Sequence, residues 1–138
     1  MRKDSSHIII AAGESSGDKL GAELMQALRK QDSSIQISGL GGEAMIGEGL
    51  ISLFPMADIA VMGVAEILPR LPSLLRRIDQ MAAYIIEQEP DAVILIDSPE
   101  FSHRVAKKVK KALPNLIVII YVAPTVWAWR QGRAAKMK

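Results

Sequence analysis

The sequence predicts an α/β fold, a doubly wound Rossmann-like parallel sheet, from three observations. Ile8-Ile9-Ile10-Ala11-Ala12, Ala92-Val93-Ile94-Leu95-Ile96 and Leu116-Ile117-Val118-Ile119-Ile120 are short continuous apolar runs. Parallel strands covered on both faces read this way. Between the runs the apolar period changes to that of a helix, with Leu20, Leu24 and Leu28 spaced i, i+4 beside Gly21 and Met25. The runs also end in glycine, proline or polar residues, so strands and helices alternate as β-α-β units.

Taken in order, Ile8 to Ala12 is the first strand and the Leu20 stripe the first helix. Ile35 to Leu40 is a weaker strand with partial alternation, and a short irregular stretch near Leu53 to Val61 would bring the sheet to about five strands. From Met62 to Ile78 the leucines and isoleucines exceed the needs of one helix face. Pro69 and Pro72 should divide that segment into two short helices. After Ala92 to Ile96, Ser98 suits an N-cap and Pro99 a first helical position. Val105, Val109, Ala112 and Leu113 then form an inward stripe, leaving Lys107, Lys108, Lys110 and Lys111 as a solvated face near the helix C-terminus. Right-handed crossovers put every strand C-terminus on one rim. The loops there are Gly13 to Asp18, Gly41 to Met45, Asp97 to Ser102 and Val122 to Arg130.

With 138 residues the chain can bury one core but is short for a complete two-substrate enzyme. A formal charge of +2 gives no basis for nucleic-acid binding, and the absence of cysteine excludes disulfides and thiolate metal sites. The apolar Ile8 to Ala12 run is shorter than a signal-peptide core, and no run approaches the roughly twenty residues of a spanning helix. The expected location is therefore the cytoplasm.

Two rim segments carry the chemistry. In Ile96-Asp97-Ser98-Pro99-Glu100-Phe101, helix initiation accounts for Ser98, Pro99 and Glu100 but leaves Asp97 unexplained. A carboxylate just past an apolar strand costs burial energy unless it is hydrogen-bonded or used, and open α/β sheets bind ligands at that edge. With an ordinary pKa of about 3.9, Asp97 is ionised at neutral pH and able to act as a general base. In Tyr121 to Arg130, both tryptophans and one of the two tyrosines fall together in a chain that is only 4% aromatic. They would either line a sugar or acyl pocket, with Arg130 and Arg133 near a phosphate, or cap the core.

Ala12-Gly13-Glu14-Ser15-Ser16-Gly17-Asp18 has neither a Walker A nor a G-x-G-x-x-G frame. It reads as a loop whose amides and serines approach a ligand, or as a tight turn with a serine cap and an acidic first helical turn. Gly39-Leu40-Gly41-Gly42 is a second glycine turn. His103 reads as a surface histidine or as a contact for an anionic substrate. Arg70, Arg76 and Arg77, set among leucines, suit either a surface facing acyl chains and anionic headgroups or a helix packed on the sheet.

Together these segments resemble the lipid-A-disaccharide synthases. The resemblance runs through Ala12 to Asp18 with Gly21-Ala22, Gly41-Gly42 with Met45, Val61-Met62-Gly63 with Glu66, Ile96 to Phe101, and Tyr121 to Arg130, in the family's order. It implies the N-terminal, acceptor-side domain, over residues 1–138, of a two-domain GT-B type glycosyltransferase whose UDP-sugar domain the chain lacks. The implied reaction joins 2,3-diacylglucosamine from its UDP form to 2,3-diacylglucosamine 1-phosphate, with inversion. Asp97 matches the proposed base; Ser16, Met62 and Glu66 match acceptor-side positions, joined by Trp127 and Arg130 as substrate-binding residues. The resemblance further implies peripheral association with the inner membrane and no metal or other cofactor. Ser102 departs from the Asn or Thr of many members. A chain without the donor domain is expected to be inactive alone. The alternatives are another UDP-sugar enzyme, such as a nucleotide-sugar epimerase, and a non-catalytic lipid-binding fragment.

Overall fold

The computed structural model describes residues 6–59, 64–96 and 99–121, with the backbone alone for 64–70, 99 and 100. Its elements are β1 (His7–Ala12), α1 (Ser15–Gln31), β2 (Gln36–Leu40), α2 (Glu43–Gly47), a 3-10 turn (Met56–Asp58), α3 (Val64–Gln88), β3 (Ala92–Ile96), α4 (Pro99–Ala112) and β4 (Ile117–Tyr121). All strand pairs are parallel, in the order β2-β1-β3-β4. This is an α/β Rossmann-like sheet, as expected.

The sheet is covered on two faces because alternate strand residues point to opposite sides. Ile10, Ala12 and Ile96 pack with Ala22 and Met25 of α1 and Met45 of α2. Ile9, Ala11, Val93 and Leu95 pack with Ile78, Met81 and Ile85 of α3 and with Val105 and Val109 of α4. The buried residues of α1 are Gly17, Asp18, Gly21, Ala22 and Met25, whereas Leu20, Leu24 and Leu28 are only half-buried. The helix is therefore rotated from the leucine stripe so that glycine and alanine meet the sheet and α2.

Three expectations are corrected. Among the described residues the sheet has four strands: Leu53 to Ile59 forms no strand, and its neighbour Ser52 makes only an isolated bridge to Gly39. α3 is one helix across Pro69 and Pro72. The recurring burial of Leu74, Ile78, Met81 and Ile85 holds it to the sheet. Pro72 lies on the exposed side, where water can serve the carbonyl that its missing N–H leaves over. Finally, Ile117, Ile119 and Tyr121 of β4 are 59%, 47% and 45% exposed, so among the described residues one face of this strand is uncovered. A continuous apolar run does not reveal whether both of its faces find partners.

The lysines of α4 are exposed as expected. Lys108 pairs with Asp79 of α3 at 3.1 Å, and Lys110 donates to the carbonyls of Pro114 and Leu116 beyond the helix end. α4 begins at Pro99, the position expected for it.

Candidate functional site

β1 pairs with β2 on one side and β3 on the other, so chain progression reverses between β1 and β3. In open α/β sheets the crevice outside the carboxyl ends at such a switch point is the ligand site. The register places Ala12 opposite Ile96, and Ile96 opposite Tyr121. The segments that begin at Ala12, Ile96 and Tyr121 thus leave the same rim from neighbouring strands.

The best-defined chemistry on that rim is the Asp18 carboxylate. Asp18 lies in the first turns of α1 and is only 6% exposed. Its two oxygens accept hydrogen bonds from the backbone N–H groups of Gly42 (2.8 Å), Ala44 (2.8 Å) and Met45 (3.0 Å). These are the orphan donors at the start of α2, whose N-cap residue, Gly42, supplies no side chain. A carboxylate from another helix does what an N-cap side chain normally does, with the favourable sign for the helix dipole. The expected serine cap on α1 is not found: Glu14 occupies the N-cap position and makes no side-chain cap bond.

Glycines make this approach possible. A Cβ on Gly42 would lie 2.9 Å from the Asp18 carboxylate, and one on Gly21 or Gly41 would lie 2.5 or 2.6 Å from the Met45 sulfur. The two glycine motifs are thus one interlocked unit joining the loops after β1 and β2. Beside it, toward residues 50–57, lies an open groove of about 1330 Å³.

Behind the groove lining, Phe101 ends the Ile96 to Phe101 motif and is buried against Phe54 edge to face, with ring centres 6.4 Å apart. The Arg77 guanidinium lies 4.7 Å from the Phe54 ring centre, paired with Asp58 and hydrogen-bonded to Gln80. Arg77 therefore belongs to the packing between α3 and the 54–58 segment. Arg76 and Leu75 remain exposed.

Of the sequence-derived site residues, Ser16 lies exposed in the first turn of α1 on the rim. Glu66 lies in the first turn of α3, with its side chain outside the described atoms. Asp97, Met62, Trp127 and Arg130 lie outside the described residues. Ser102 is buried, at 2% exposure, and His103 is exposed. No buried side-chain polar atom among the described residues lacks a partner. Sequence reasoning missed the role of Asp18, because an acid in a first helical turn already suits its own helix. It also missed the groove, whose walls come from segments that follow no regular period.

Comparison with known proteins extends this picture. The family model of lipid-A-disaccharide synthetase matches residues 8–138. The chain belongs to that family. The lipid-A-disaccharide synthases of Nitrobacter hamburgensis and Rhodospirillum centenum are 47% and 51% identical over 135 and 131 residues, covering 97% and 94% of this chain. That of Ruegeria pomeroyi is 51% identical over 130 residues. The aligned part is 34%, 33% and 32% of these relatives, so this member of the lipid-A-disaccharide synthetase family spans about a third of their length. The epimerase and non-catalytic alternatives draw no support from these matches.

Proposed function

We propose that the protein to which this chain belongs is a glycosyltransferase of lipid A biosynthesis, and that residues 1–138 are its acceptor-side domain. In this reading it transfers 2,3-diacylglucosamine from its UDP form to 2,3-diacylglucosamine 1-phosphate. Asp97 takes the proton of the acceptor 6-hydroxyl while that oxygen attacks the anomeric carbon from the face opposite UDP. The new C–O bond forms as the bond to UDP breaks, the electron pair leaves with the diphosphate, and the anomeric configuration inverts. Ser16, Met62, Glu66, Trp127 and Arg130 bind the acceptor side, and a UDP-sugar domain elsewhere in the whole protein holds the donor.

The observation that carries this reading is the register of β1 and β3. Ile96, which immediately precedes Asp97, ends its strand opposite Ala12 at the switch point, the place where such sheets bind ligands. Family membership supports the choice of lipid substrates. Among the described residues no helix is long and apolar enough to cross a membrane. Peripheral contact with the cytoplasmic side of the inner membrane draws support from Leu75, 39% exposed, beside exposed Arg76.

The test uses the full-length protein with both lipid substrates. Asp97→Asn should lower kcat by about 10²- to 10⁴-fold, the usual contribution of a general base, with little change in either KM. Retention of wild-type kcat would remove Asp97 from the mechanism. The chain of residues 1–138 alone should release no UDP, because a base without a positioned donor has nothing to act toward. Release of UDP by it would overturn the domain assignment.

A further inference from the structure

We propose that the groove beside the Asp18 clamp is the subsite for one acyl chain of the acceptor lipid, and that Lys19 at its polar end meets the acceptor's anionic group. This rests on the lipid-substrate reading above and adds to it a location for the lipid.

The groove opens on the rim where α1 begins, since Ser15 is part of its lining, and runs along α2 toward the 50–57 segment. Its apolar lining includes Ile46, Leu50, Ile51, Phe54 and Met56. Leu50 and Phe54 are buried, at 2% and 5% exposure, and floor it. Ile46 and Ile51 stand out at 51% and 88%. A single exposed isoleucine needs no explanation, but two on one depression floored by leucine and phenylalanine make a surface from which displacing water is favourable.

The lining holds one cation, Lys19, and two carboxylates, Asp18 and Glu43, so an anionic head can be met at Lys19 alone. Both oxygens of Asp18 are engaged by the α2 amides. Lys19 is exposed and has no ion-pair partner among the described residues. It lies near the positive end of α1, which adds to its attraction for a phosphate. Glu43, the other charged lining residue, lies at the start of α2. An acylated sugar phosphate has the matching order of parts: a chain for the trough, a sugar at the rim beside β1 and β3, and an anion for Lys19.

The experiment compares dibutyryl, dioctanoyl and dimyristoyl glucosamine 1-phosphates as acceptors for the full-length protein, below their micellar concentrations. Wild-type KM should fall as the chains lengthen. In the double variant Ile46→Ser, Ile51→Ser, both at exposed positions, the butyryl-to-myristoyl KM ratio should shrink by about tenfold, the scale on which apolar pockets count methylenes. An unchanged ratio would overturn the groove. So would loss of the ratio in Leu75→Ser, Arg76→Glu but not in the groove variant, since the chains would then stay in the bilayer. Lys19→Ala should raise KM for the 1-phosphate acceptor while leaving the affinity for unphosphorylated dimyristoyl glucosamine in place; equal effects on both would remove Lys19. If the wild type turns over no acceptor, the catalytic reading fails but the groove is still measured. Calorimetric titration with the same compounds should show a chain-length preference that the double variant loses, and equal preference in both proteins would overturn the groove.

Discussion

Asp18 and Gly42 stand 24 positions apart and meet through a 2.8 Å hydrogen bond from the Gly42 amide to the Asp18 carboxylate. That bond and its companions to Ala44 and Met45 make the loops after β1 and β2 a single unit. These two loops are therefore tied together before any ligand arrives, which suits a site that works by positioning.

Asp18→Ala should destabilise the protein by about 2–3 kcal/mol, since it strands buried N–H donors at a helix start. Asp18→Asn should cost about half as much: Asn keeps an acceptor for two donors but turns its NH₂ toward a third. Urea unfolding of the full-length protein checks both. A cost below about 0.5 kcal/mol for the alanine variant would mean that water replaces the carboxylate and that the clamp has little weight.

Gly39 and Gly47 give a paired prediction. Gly39 has φ +140° in β2, and a Cβ there would lie 2.1 Å from the carbonyl oxygen of Ile10 on the neighbouring strand. Gly39→Ala should cost more than about 3 kcal/mol or abolish folding, because neither backbone can yield without losing the ladder. Gly47 is the last residue of α2, and a Cβ there would meet nothing within 4 Å. Gly47→Ala should be neutral or stabilising by up to about 1 kcal/mol. Thermal unfolding of the two variants side by side decides the matter.

One pH dependence follows at the C-terminus of α1. The Asp32 carboxylate accepts from the Ser34 hydroxyl (2.6 Å) and amide (3.0 Å), which hold its pKa below the ordinary carboxylate value. A depressed pKa means that the contribution is present above the unfolded pKa and is lost as pH falls through the folded one. The effect belongs to the acid range, and full exposure keeps it small. Ser34→Ala should raise the Asp32 pKa toward the ordinary value in an NMR titration of its carboxyl carbon, and no movement would show that the amide bond alone sets it.

The parts of this molecule legible in the sequence are those where a residue type has one strong reason to be where it is. Ala92 to Ile96 is a strand with the bounds its apolar run suggests, because a central strand is covered on both faces. Pro99 starts α4 because its fixed φ and absent N–H suit that position. Legibility fails where the reason is tertiary. Nothing local tells Asp18 from an acid serving its own helix. Pro72 should break a helix, yet the packing of Leu74, Ile78 and Met81 carries α3 through it. The five-residue run of β4 looks like a central strand although, among the described residues, one face lacks cover. In the candidate site, the neighbouring C-terminal ends of β1 and β3 were readable, whereas the groove depends on how α2 and the 50–57 segment fold together.

Arg76 and Arg77 are adjacent in sequence and should behave as opposites. Arg77 is paired with Asp58 and lies over Phe54, each side chain of the pair being about 30% exposed. Arg77→Ala should therefore cost about 1–2 kcal/mol in stability, the sum of a modest ion pair and a cation–π contact. Arg76 and Leu75 face solvent, so Leu75→Ser, Arg76→Glu should leave the unfolding midpoint nearly unchanged. If this face meets the membrane, that double variant should lose flotation with anionic vesicles, and added salt should weaken wild-type binding in the same assay. Arg77→Ala that has been checked for folding should still float. Equal flotation of all three proteins would show that this end of α3 does not touch lipid. Loss on Arg77→Ala alone would show that the arginine leaves Phe54 to bind a headgroup.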